Sequence, residues 1–246
     1  MSVKKIIAKC ICLLVIAGFF SGCKMNSKQL LAKRIKHMQE ASGNPVTIEE
    51  IKAAINRYDS EVTEVQQKNA KIGLWYKILG TRYLDKKMYG EALKCFQSAL
   101  NVYPDNPNLY YYVGVCAGYM SHAAFDFDAT GNYSKKQNYL KLAEESYLRA
   151  VAIDERLTTA LYGLGILYIF ELDESEKAIP YLERYLSIEK RSVDGMFVLA
   201  RAYYSNYQFD KAVELYDKII ATTKSSEKKS EAEANKKVVL NASYGM

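Results

Sequence analysis

From residue 47 the chain carries an apolar stripe in three-four alternation: Ile48, Ile51, Ile55, Tyr58, Val62 and Val65, then Ile72, Tyr76, Leu79 and Tyr83, with polar Asn69 between the two runs. That alternation keeps one face of an α-helix apolar. Thr47 with Glu50 three residues on is a capping-box start. The spacing predicts one helix over about 48–85, roughly 55 Å long at a rise of 1.5 Å per residue. Such a stripe fits a coiled-coil seam. It also fits a helix whose second half packs inside the next hairpin while its first half caps the assembly, and this capping reading is preferred. Ahead of it, residues 27–40 read as a short helix ended by Ser42-Gly43-Asn44-Pro45. Behind everything, 226–243 reads as a charged final helix with Val238, Val239 and Leu240 to bury.

Between these ends one pattern recurs. After Leu79-Gly80, Tyr83 follows at three residues and Ala92 at twelve, then Phe96, Ala99 and Pro104 at steps of four, three and five. Small Gly80 and Ala92 suit a close helix crossing, Tyr83 and Phe96 fill the space beside it, and Pro104 stops the second helix. The second copy has Gly114, Ala143, Tyr147 and Ala150, with 29 steps from Gly to Ala instead of 12, so 17 residues are inserted at about 121–137. The third has Gly165, Tyr168, Ala178, Leu182 and Tyr185, and the fourth Ala200, Tyr203, Ala212, Tyr216 and Ile219. Lys190 and Lys224 stand where a closing Pro is usual, and Pro180 falls inside a helix.

These spacings resemble the tetratricopeptide repeat, an antiparallel helix pair of about 34 residues. The resemblance implies an all-α fold: a right-handed α-solenoid of about four helical hairpins with N- and C-terminal capping helices. The repeats would occupy 73–225, preceded by the capping or heptad helix at 47–72 and followed by the cap at 226–246.

Composition narrows the class without naming a ligand. The chain is 49% apolar and 25% charged, with only 13 Gly and 4 Pro among 246 residues, which excludes a disordered, collagen-like or polytopic membrane protein. Tyrosine is abundant, at 21 residues, whereas histidine occurs only at His37 and His122. Lys4, Lys5 and Lys9 precede an apolar run from Cys10 to Phe20, too short for the roughly 20 residues that a membrane-spanning helix needs. It reads as the core of a secretory signal. The run ends in Phe20-Ser21-Gly22-Cys23, which resembles the lipobox of bacterial lipoproteins. That resemblance implies a signal peptide over 1–22, a lipid on Cys23, a tether and short helix over 23–46, and a place in the bacterial cell envelope, facing the periplasm. Loss of residues 1–22 would remove three Lys and lower the formal charge from +6 to +3, so no nucleic-acid partner is expected. Cys95 and Cys116, on apolar helix positions, are expected as buried free thiols.

On the first helix of each repeat, residues three before, one after and five after the glycine position should face the concave side. They are Lys77, Thr81 and Asp85; Tyr111, Val115 and Tyr119; Tyr162, Ile166 and Phe170; then Phe197, Arg201 and, nearby, Tyr204. The candidate partner-binding face is therefore Tyr111, Tyr119, Tyr162, Ile166, Phe170, Phe197, Arg201 and Tyr204. Relatives that grip acidic C-terminal peptides use Lys, Asn and Arg there, and this chain lacks that set in copies two and three. An amphipathic helix, an apolar peptide or an acyl-like ligand fits such a wall, as does the chain's own insertion or leading helix. The residues 126–132 resemble the opening of a calcium loop, but Gln137 stands where the bidentate Glu belongs, and no metal is expected. Phosphate loops, His-Glu metal pairs and Cys clusters are absent from the sequence, and the acidic pairs Glu144-Glu145 and Glu174/Glu176 read as solvated. The expectation is a non-catalytic, cofactor-free scaffold that binds an envelope protein. The alternative is a ligand-binding accessory to a solute transporter, and a homo-oligomer through the 48–65 stripe is a further option.

Overall fold

The computed structural model describes residues 47–124 and 134–244. The signal segment, Cys23, the 27–40 helix with its break at 42–45, and the 126–132 run lie outside the described residues. Among the described residues the regular elements are α-helices: α1 (Ile48–Asp85), α2 (Tyr89–Leu100), α3 (Pro107–Ala123), α4 (Ser134–Ile153), α5 (Thr158–Phe170), α6 (Ser175–Ile188), α7 (Val193–Ser205), α8 (Phe209–Thr222) and α9 (Ser226–Tyr244). The chain divides into two units, Met1–Val65 and Gln66–Met246.

In the first unit α1 opens on a reciprocal cap. The Glu50 N–H donates to Thr47 Oγ1 at 3.2 Å, and the Thr47 N–H donates to Glu50 Oε2 at 3.1 Å, so two donors at the helix start are satisfied. Ile48, Ile51, Ile55, Val62 and Val65 are all exposed on this stretch.

The second unit is an α-solenoid. Each helix from α2 onward packs on the next, and α3 touches α5 as α5 touches α7, so every hairpin meets only its neighbours. Steric fit at the crossings explains the sequence pattern. A Cβ on Gly80 would sit 2.8 Å from Phe96 Cε1, and one on Gly114 would sit 2.6 Å from Tyr147 Cε1. Gly165 is closed off in the same way by Leu182. Ala92, Ala99, Ala143, Ala178, Ala200 and Ala212 are fully buried, as is Phe96, whose burial stabilises the first hairpin by about 2–3 kcal/mol. Tyr147, Tyr168, Tyr203 and Tyr216 are buried, Tyr83 is half-buried against the first core, and Pro104 lies exposed in the turn after α2. Pro180 sits within α6, where it removes one backbone donor.

Three hairpin turns share a left-handed residue: Lys87 (φ 58°), Asp173 (φ 54°) and Tyr207 (φ 58°). Just after each, an N–H reaches back to the pattern tyrosine's carbonyl: Met88 to Tyr83 at 2.9 Å, Glu174 to Tyr168 at 2.8 Å and Gln208 to Tyr203 at 2.9 Å. The closure is six-to-one at Tyr83 and Tyr203 and one residue wider at Tyr168, and each satisfies a carbonyl at the end of the first helix.

Two expectations are corrected. The stripe on the second half of α1 is not its packing face: Ile72, Tyr76 and Leu79 are exposed, together with Leu74, Trp75 and Ile78. Gly73 and Gly80 are buried instead, because only a residue without a side chain lets Tyr103 and Phe96 approach the α1 backbone. The Tyr103 hydroxyl then donates to the Ala70 carbonyl at 2.6 Å and pins that face. On α9, Val239 is buried, but Val238 is exposed because it points a third of a turn away.

Candidate functional site

The first helices of the hairpins place the face residues around two neighbouring pockets. One, of about 330 Å³, is lined by Tyr111 and Tyr119 from α3, Tyr147 from α4, Tyr162 and Ile166 from α5, and Glu171 at the α5 end. The other, of about 390 Å³, is lined by Phe170, Phe197, Arg201, Tyr204 and Tyr216, and is closed by α9 through Glu231 and Val239. The structure thus separates the candidate face into Tyr111, Tyr119, Tyr162 and Ile166 on one side and Phe170, Phe197, Arg201 and Tyr204 on the other.

Ring contacts hold the first pocket in shape. Tyr119 stacks on Tyr89 with centroids 4.3 Å apart, Tyr162 leans on Tyr185 at 5.1 Å, and Tyr111 meets Tyr147 at 6.1 Å. Such contacts add to burial and fix orientation. Gly118 faces open space, since a Cβ there would meet nothing within 4 Å. At the rim His122 Nε2 lies 3.1 Å from Glu171 Oε1. Burial is the main reason the Tyr111, Tyr147 and Tyr162 phenols are pushed above the usual range; Tyr147 also feels Tyr111, and Tyr162 feels Asp194. They are therefore neutral at physiological pH.

In the second pocket the Arg201 guanidinium lies 4.9 Å from the Phe170 ring centroid. Arg201 is thus engaged within the chain as well as exposed to solvent. Sequence reasoning did not place Glu171, His122 or Tyr147 at this site. His122 is three residues beyond Tyr119 and so on its helix face, a spacing that carries the signal. Glu171 caps α5 just past Phe170.

Glu144 is also not simply solvated: its Oε1 accepts from the Tyr168 hydroxyl at 2.8 Å. Tyr203 repeats the device one hairpin later, donating to Glu183 Oε1 at 2.5 Å. Glu174 pairs with Lys177 at 2.8 Å. Cys95 and Cys116 are free and buried, and burial pushes the Cys116 thiol up to about 12. Among the described residues no group of three or more His, Cys, Asp or Glu is placed to hold a metal ion.

Paired helices, small residues at the crossings and neighbour-only packing define a helical-hairpin repeat protein. The tetratricopeptide repeat model matches residues 158–191, which span α5 and α6. A TPR repeat-containing protein of Borreliella burgdorferi is 22% identical over 227 residues, covering 90% of this chain and 95% of its own. Among solved structures, a thermophilic TPR protein of Thermus thermophilus matches with a TM-score of 0.52 at 20% identity, over 81% of this chain and 98% of its own. The MamA protein of Desulfovibrio magneticus matches with a TM-score of 0.52 at 14% identity, over 71% and 97%. The chain thus carries a tetratricopeptide repeat over residues 158–191 and has the fold of the tetratricopeptide-repeat solenoids.

Proposed function

We propose that this protein is a non-catalytic, lipid-anchored component of a bacterial cell envelope, facing the periplasm, whose solenoid binds another protein through the first helices of its hairpins. One observation carries the binding reading. Aromatic side chains stay open on that face, with Tyr119 50% and Phe170 49% exposed beside the two pockets. Large rings left in water on a built surface mark an interaction site. The anchor rests on sequence alone: the short apolar run ending at Cys23. No helix among the described residues is long and apolar enough to cross a membrane. The non-catalytic reading is supported by carboxylates engaged with Tyr168, Tyr203 and Lys177.

Tyr162→Ala with Phe170→Ala is expected to abolish partner capture from envelope extract while leaving helicity unchanged. Undiminished capture overturns the reading. Cys23→Ser is expected to lose metabolically incorporated palmitate, and retention of the label sinks the anchor. A second reading, an accessory that presents a small ligand to a solute transporter, is favoured by the 330 Å³ tyrosine pocket. A small mass retained on the protein in native mass spectrometry supports it. The exposed 48–65 stripe also favours self-association. Light scattering should then give a mass above the monomer that Ile55→Asp with Val62→Asp returns to one chain; a monomeric parent rejects this seam.

A further inference from the structure

The tyrosine pocket has a chemistry more specific than apolar. Four phenol rings line it, and its charged wall is Glu171, whose side chain is only 16% exposed. None of its described lining residues is Lys or Arg. His122 meets one oxygen of that carboxylate, and a carboxylate has lone pairs for further donors. An acyl or aliphatic occupant would strip water from Glu171 and return no charge, which is costly. An anionic peptide end would face the carboxylate directly. A cation is attracted by the ring faces and by Glu171 together.

The adjoining pocket supplies an internal comparison. It too combines aromatic rings with a carboxylate, Glu231, but there the cation is built in, with Arg201 held 4.9 Å from the Phe170 centroid. Among its described lining residues the tyrosine pocket has the rings and the acid without a Lys or Arg, its one basic group being the half-exposed His122 at Glu171 Oε1. Its rings are also braced in advance by Tyr89, Tyr185 and each other, so a ligand need not order them. A volume of about 330 Å³ suits one compact head group.

We propose that the pocket formed by Tyr111, Tyr119, Tyr147 and Tyr162 binds an organic cation, a quaternary ammonium or guanidinium group, with Glu171 as its counter-charge. This rests on the first-helix face being the binding face, and it names the chemistry that face selects. The group arrives either on a small molecule or as a basic side chain of a protein partner.

Calorimetric titration of the full chain in detergent separates these cases. The probes are choline, its neutral carbon isostere with tert-butyl in place of trimethylammonium, and the tripeptide Gly-Arg-Gly. At least one cationic probe should bind about tenfold or more tighter than the neutral isostere. Glu171→Gln should erase that preference, and Tyr119→Leu, at a half-exposed position, should weaken cation binding several-fold while the chain keeps a cooperative thermal melt and its helicity. Tighter binding of Gly-Arg-Gly assigns the cation to a partner's side chain, and tighter binding of choline assigns it to a small molecule. Equal or better binding of the neutral isostere overturns the proposal, as does the absence of saturable binding by both cations. Partner capture that Tyr162→Ala with Phe170→Ala abolishes would then still uphold the face itself.

Discussion

Lys87, Asp173 and Tyr207 hold left-handed backbone where glycine would be free of strain. Lys87 is exposed, and no side-chain ion pair or hydrogen bond is seen for it among the described contacts. Lys87→Gly is therefore expected to stabilise the fold by about 0.5–1 kcal/mol, read as a higher urea midpoint with an unchanged slope. At this scale the sequence was most legible where size alone decides. Gly80, Gly114 and Gly165 read as crossings because a ring or a Leu must sit where their Cβ would be. Glu144 was illegible for the opposite reason, since its partner Tyr168 is 24 residues away and on another helix.

Among the elements, α7 shows how a start signal and a packing contact merge. Ser192 Oγ accepts the Gly195 N–H at 3.1 Å and also the Tyr185 hydroxyl at 2.9 Å. Ser192→Ala should cost about 1–2 kcal/mol, more than an isolated cap, because a half-buried phenol loses its partner too. Thermal melts of the variant beside Ser192→Thr, which keeps the oxygen, will check this. The face of α1 shows where pattern reading fails. A three-four stripe records which side of a helix is apolar, not which side is covered. The buried side is chosen by Gly73 and Gly80, seven residues apart, and a stripe-based reading discounts them. The division of the face into two pockets was equally hidden, because it depends on which side chains of successive helices come together, Phe170 meeting Arg201 rather than the tyrosines on its own helix side.

Over the whole solenoid, buried phenols tie stability to alkaline pH. Tyr111, Tyr147, Tyr162, Tyr168, Tyr203 and Tyr216 all have pKa values raised above the ordinary value near 10, chiefly by burial. Each binds its proton more tightly folded than unfolded. Their contribution is therefore complete below about pH 10 and is lost as pH rises through the folded values. Cys116 acts in the same direction from about pH 9, toward its folded value of about 12. Urea midpoints should stay level up to about pH 9 and then fall, with tyrosinate absorbance from these rings appearing together with loss of helicity. Early ionisation of all the tyrosines without unfolding would contradict this burial.

The two pockets also differ in when the ribosome can finish them. Every residue lining the tyrosine pocket has been synthesised once Glu171 is made and its brace Tyr185 follows on α6, whereas the neighbouring pocket waits for Glu231 and Val239 on α9. Because each hairpin leans only on those beside it, the first pocket can take shape on a nascent chain whose last helices do not yet exist. A ligand present during translation would meet the tyrosine pocket first, and the other is completed only after α9 has been made.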